Sequence, residues 1–87
     1  MAKDIRIILV EDSPTIRHHL TSIIEEASDM CVVGTAKNGY EAIQMVEELR
    51  PDVVSMDINM PEVDGLEATR HIMQHTPTPI VVVSALL

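Results

Sequence analysis

Tryptophan and phenylalanine are absent from this chain, and Tyr40 is its one tyrosine. Aliphatic side chains and methionine must therefore supply nearly all of the packing that aromatic rings often dominate. Cysteine is as scarce: Cys31 stands alone, which excludes an internal disulfide framework. Its place in an apolar run reads as a buried thiol, with a reducing compartment as the default. Positive charge is short, with 6 Lys and Arg against 14 Asp and Glu and a net charge of −8. That balance argues against nucleic acid and anionic membrane surfaces, which need basic patches, and it suits cation binding. Long hydrophobic runs are missing too. The first apolar run is too short for the core of a signal peptide, and nothing approaches the roughly 20 residues of a membrane span. A soluble, cytoplasmic chain is expected. Its 87 residues allow one small domain, spanning 1–87, with a core that is marginal for its size.

What is present alternates. Ile5 to Val10 is a short β-branched run that reads as a strand. Ser13-Pro14 starts a helix, with Ser13 as N-cap and Pro14 at the first helical position, where its missing N–H costs nothing. Ile16, Leu20, Ile23, Ile24 and Ala27 fall at helical spacing as one apolar stripe, with Glu25 and Glu26 off it. Cys31 to Thr35 is a second strand. Asn38 and Glu41 have capping-box spacing at the head of a second helix, whose buried face is Ala42, Ile43, Val46 and Leu49. Arg50-Pro51 ends it, because the residue before proline is pushed out of helical geometry.

Asp52 to Asp57 is the third strand, and Ile58 to Asp64 a loop. Gly65 permits the turn before a third helix from Leu66 to about Gln74, with Leu66, Thr69 or Arg70, and Met73 at helical spacing. Thr76-Pro-Thr-Pro79 connects to a fourth strand, Ile80 to Val83, that leads to Ser84. The order β-α-β-α-β-α-β predicts a parallel sheet with helices on both faces, and strands apolar throughout agree with burial on both sides.

Two strands end in acid: the first at Glu11-Asp12, the third at Asp57. In doubly wound sheets ligands bind beyond the carboxyl ends of the strands, where the strand order reverses. If strands one and three are neighbours, the three carboxylates converge there. Their mutual repulsion would be relieved by a hard divalent ion, and Mg²⁺ suits so sparse a set because it keeps several waters. The plainer reading makes them solvated caps on strand ends. Their placement after both strands favours the pocket.

These residues carry a resemblance. Glu11-Asp12 after strand one, Asp57 after strand three, Met60-Pro61 and Asp64-Gly65 beyond it, and Ser84 after strand four resemble the receiver domain of two-component response regulators. The stretches Glu11-Asp-Ser-Pro14, Val33-Gly-Thr-Ala36, Met56-Asp-Ile-Asn-Met-Pro61 and Pro77 to Ser84 are most similar to the receivers of chemotaxis protein-glutamate methylesterases. The resemblance implies a flavodoxin-like α/β sheet of strand order 2-1-3-4. It implies that Asp57 accepts a phosphoryl group from a histidine kinase. Glu11, Asp12, Asp57 and the backbone carbonyl of Asn59 would hold Mg²⁺, and Ser84 would contact a phosphoryl oxygen and switch position.

The family pattern continues past strand four with a helix, a strand and a helix, and with a lysine after the fifth strand that pairs with the phosphoacceptor. Neither Lys3 nor Lys37 matches that lysine. The expectation is thus a truncated receiver domain in which metal ligands are complete, phosphorylation is in question, and strand four is an open apolar edge. Self-association or element swapping through that edge is expected. The function expected is that of a phosphoacceptor receiver using Asp57 with Mg²⁺; the alternative is a truncated fragment that folds by self-association or swapping and no longer signals. A flavodoxin-type cofactor binder is disfavoured, because Glu11-Asp12 would repel an anionic ligand where a phosphate loop should stand. No catalytic triad or structural zinc site is evident, so an independent enzyme is not expected. His71 and His75 have metal-pair spacing without a third ligand nearby, and read with His18 and His19 as exposed helical histidines.

Overall fold

The computed structural model describes residues 5–58, 60 and 65–83. Four parallel strands, β1 (Ile5–Val10), β2 (Met30–Ala36), β3 (Val53–Asp57) and β4 (Ile80–Val83), form one sheet in the order β2-β1-β3-β4. Three helices link them: α1 (Pro14–Glu26), α2 (Gly39–Leu49) and α3 (Gly65–His75). α1 packs against β1 and β2, while α2 and α3 pack against each other and the sheet. The flavodoxin-like expectation and its strand order hold.

The helix starts follow from their caps. The Ser13 hydroxyl accepts the N–H of Ile16 at 3.3 Å, with Pro14 behind it. The Asn38 side chain accepts the N–H of Glu41 at 2.8 Å, and the Glu41 carboxylate reaches back to the N–H of Lys37 at 2.9 Å. This is a capping box whose return bond lands one residue early. α2 ends on Arg50, left-handed at φ 48° and ψ 65°, just before Pro51. That conformation disfavours a side chain. Here the carbonyl of Arg50 accepts from Arg6 at 2.9 Å, and its Nε donates to Glu47 at 3.1 Å.

The core lies between the sheet and the α2–α3 layer. Ile8, Val10, Val54 and Met56 from the central strands meet Ala42, Val46, Ala68 and Ile72 from the helices, with Met60 closing one end. Ile7 and Leu9, of opposite parity on β1, are buried outside that cluster. Both faces of β1 are thus covered, which explains its unbroken apolar run.

Three packing expectations change. On α1 no residue is fully buried, and Ile16 and Ile23 are exposed. The half-buried side runs Arg17, Leu20, Thr21, Ile24 and Ala27, so the inward face is rotated toward Arg17 and Thr21. On α3 the buried positions are Gly65, Ala68 and Ile72, while Leu66 and Met73 are exposed, because small residues let the helix lie close to the sheet. Cys31 is half-buried rather than enclosed, since β2 is an edge strand. At the opposite edge, among the described residues, β4 hydrogen-bonds to β3 alone and leaves Val81, Val82 and Val83 exposed.

Gly65 has a reason other than the one its sequence position suggests. Its backbone does not adopt positive φ. A methyl group there would instead overlap the carbonyl oxygen of Asp57 and lie 2.6 Å from Cα of Ile58. At Gly34 a methyl would meet the flexible side-chain ends of Leu49, at 3.1 Å, and Met45, at 3.2 Å, with Ile8 at an ordinary contact of 3.9 Å. Gly65→Ala is therefore expected to cost about 1–3 kcal/mol of stability by overpacking, and Gly34→Ala about 1 kcal/mol or less. Urea unfolding followed by circular dichroism checks both.

Candidate functional site

β1 and β3 are hydrogen-bonded neighbours with Val10 opposite Met56, so their carboxyl ends finish side by side. The chain leaves β1 toward β2 on one side and β3 continues toward β4 on the other. This is the reversal of strand order that opens a crevice in such sheets. Glu11, Asp12 and Asp57 stand at that point, and each offers a carboxylate oxygen within 4.8 Å of the others. Glu11 is 6% exposed and Asp57 8%, whereas Asp12 is exposed. Solvated caps would not be buried, so the plainer reading of the strand ends fits Asp12 alone. Asn59 and Ser84, also singled out in the sequence, lie outside the described residues.

Glu11 is held at every polar group. Its N–H donates to the Ala36 carbonyl at 2.9 Å, its carboxylate accepts the Ser13 N–H at 3.1 Å, and its carbonyl accepts from Arg17 Nη1 at 2.9 Å. Burial pushes the Glu11 carboxyl above its ordinary pKa. The Ser13 N–H opposes that rise, while the charge of Asp57 and contacts with Asp12 and Asp57 add to it. A set of three oxygen donors under mutual repulsion fits a hard divalent cation such as Mg²⁺ and offers nothing to a thiophilic metal.

Residues 7–86 match the family model of the response regulator receiver domain. The chain belongs to that family.

Among similar proteins, a protein-glutamate methylesterase/protein-glutamine glutaminase of Methanospirillum hungatei is 51% identical over 82 residues, covering 94% of this chain and 23% of that protein. One from Hahella chejuensis is 56% identical over 79 residues, covering 91% of this chain and 22% of that protein. The chain thus spans about a quarter of the length of these relatives. The crystal structure of the response regulator domain of Thermotoga maritima CheB superposes with a TM-score of 0.92 at 47% identity, covering 95% of this chain and 62% of that one.

Arg17 is not among the site residues expected from the sequence, and Gly65 is expected there only as the residue that permits a turn. Arg17 was passed over because it sits off the apolar stripe. Its spacing of four from the N-cap Ser13 could have revealed it, since helical side chains lean back toward the N-terminus. Gly65 was read as a turn residue, and only the approach of α3 to the end of β3 shows its steric role. The histidines stand apart from the acidic cluster. His71 is half-buried, with its ring centroid 4.3 Å from that of exposed His75 and its Nδ1 buried without a hydrogen-bond partner, so the two are not equivalent surface residues. A cleft of about 210 Å³ lined by Tyr40, Ile43, Glu67, Arg70, His71 and Gln74 includes none of the three carboxylates. Among the described residues no helix is long and apolar enough to cross a membrane.

The raised Glu11 pKa has a directional consequence. A carboxyl whose folded pKa is raised binds more protons in the folded state, so its contribution to stability is full below the unfolded pKa and is lost as pH rises through the folded one. In the metal-free receiver domain the Glu11 carboxyl is expected to titrate above its ordinary value by carbon-detected NMR. Asp57→Asn should bring the midpoint part of the way down. A midpoint at the ordinary value would contradict the electrostatic picture.

Proposed function

We propose that this receiver domain is the phosphoacceptor of a chemotaxis-type two-component system, working in the cytoplasm beside a histidine kinase. The observation that carries the reading is the convergence of two buried carboxylates and one exposed one at the carboxyl ends of β1 and β3. Asp57 is the nucleophile. Its carboxylate oxygen forms the bond to phosphorus as the P–N bond to the kinase histidine breaks, and the electron pair of that bond returns to the imidazole. Glu11, Asp12, Asp57 and the backbone carbonyl of Asn59 would hold Mg²⁺. When bound, the ion supplies the charge neutralisation that phosphoryl transfer requires. Ser84 would donate its hydroxyl to a phosphoryl oxygen.

The chain's own residues prepare this step. Burial at the end of β3 limits water around the Asp57 carboxylate, and the Ser13 N–H orients Glu11. Asp12, the exposed member of the three, is the one that solvent reaches. The printed names of the relatives support a methylesterase-type parent protein, and that activity would belong to segments other than these 87 residues.

Intact-mass spectrometry after incubation with acetyl phosphate tests the reading. A gain of one phosphoryl group is expected with Mg²⁺, none after chelation, and none in Asp57→Asn. Loss of Mg²⁺ dependence, or phosphorylation of the Asp57→Asn variant, would place the chemistry elsewhere.

A second reading rests on the open side of the sheet. Among the described residues β4 pairs with β3 alone, with Val81, Val82 and Val83 exposed, and Ile16 and Ile23 are exposed on α1. An apolar edge of this kind recruits another strand. The 87-residue chain is expected to self-associate at micromolar concentration, read as at least a doubling of mass in light scattering. Val81→Lys should restore the monomer mass, and a wild-type monomer throughout that range would remove this reading.

A further inference from the structure

We propose that Arg17 is a positioning residue for the acidic site: its guanidinium fixes the peptide plane from which Asp12 leaves β1. The inference rests on the Mg²⁺ reading above and assigns it a residue outside the carboxylate set. Arg17 lies in the first turns of α1, half-buried, with Nη1 donating to the Glu11 carbonyl at 2.9 Å. That carbonyl belongs to the peptide unit joining Glu11 to Asp12. Because the unit is planar, the direction of its C=O determines the direction of the following Cα. The guanidinium therefore governs where Asp12 points without touching Asp12.

The remaining contacts of this turn leave that job undone. The N–H of Glu11 is tied to Ala36 on β2, and its carboxylate to the N–H of Ser13. Both hold Glu11 itself. Asp12 is exposed and its side chain meets that of Glu11, while the plane that precedes it sets the direction in which it leaves the strand. Arg17 is in turn fixed in α1, its N–H donating to the Ser13 carbonyl at 2.9 Å and its own carbonyl accepting from the Thr21 hydroxyl at 2.8 Å.

Charge and position make opposite demands on Arg17. A cation beside the three carboxylates repels a second cation, so if charge were its contribution, removing it would tighten Mg²⁺ binding. If it sets geometry, removing it weakens binding despite the lost repulsion. Partners that orient metal ligands are typically worth about tenfold or more in metal affinity.

The test is a Mg²⁺ titration of the 87-residue chain, followed by the amide NMR shifts of Glu11, Asp12 and Asp57, on wild type, Arg17→Ala, Arg17→Lys and Ser22→Ala. Arg17→Ala is expected to raise Kd about tenfold. Arg17→Lys, which keeps a donor without the planar fork, should recover part of that loss. Ser22→Ala, which removes a side-chain bond to the His18 carbonyl of the same helix, should bind as wild type does. Thermal unfolding confirms that each variant is folded at the titration temperature. An unchanged or lower Kd in Arg17→Ala overturns the proposal, as does an equal weakening in Ser22→Ala, which would make the effect one of helix stability. A wild-type chain in which Mg²⁺ moves none of these amides overturns the metal reading itself, an outcome distinct from a wild type that binds and an Arg17→Ala that binds equally well.

Discussion

Everything at the site depends on the parallel pairing of β1 with β3. Their register sets Val10 opposite Met56, so the next residues, Glu11 and Asp57, emerge together at the same end of the sheet. With any other strand between them the carboxylates would be separated by at least one further spacing of about 4.8 Å. The pairing is itself a product of the core. Ile8 and Val10 face the α2–α3 layer together with Val54 and Met56, and a slip of one residue would turn all four to the other face.

The site is built at a cost to the fold. Two carboxylates are buried at the end of an aliphatic core, and the raised Glu11 pKa reflects that burial. Around them the backbone is closely fitted. The start of α3 lies so near Asp57 and Ile58 that residue 65 has no room for a side chain. The start of α1 is fixed by Ser13, Pro14 and Arg17 acting on successive parts of one turn. The acidic residues are few, and the residues that hold their backbones are more numerous and chemically varied.

The two edges of the sheet differ. At the β2 edge a register irregularity falls between Ile7 and Ile8, and beside it the Glu25 carboxylate takes the N–H of Val32 at 2.7 Å. Bulges and charged side chains of this kind blunt an edge. Along β4 three consecutive valines are exposed instead. Leu66 and Met73 on α3, and Ile16 and Ile23 on α1, add apolar surface to the same molecule.

The sequence by itself determined the alternation of strands and helices. Local chemistry writes those boundaries: a Ser-Pro start, an Asn38–Glu41 cap, an Arg50-Pro51 stop and short β-branched runs. The acidic strand ends were legible too, because a charge closing an apolar run has little local use. Which faces of α1 and α3 are covered was not legible, since periodicity identifies an apolar stripe but not the neighbour available to bury it. Ile16 and Ile23 belong to the α1 stripe and are nevertheless exposed. The partnership of Arg17 with the Glu11 carbonyl and the closeness of Gly65 to Asp57 belong to tertiary structure alone. One depends on the angle at which α1 leaves the sheet, the other on how near α3 returns to it. Both are distances between segments that only packing brings together.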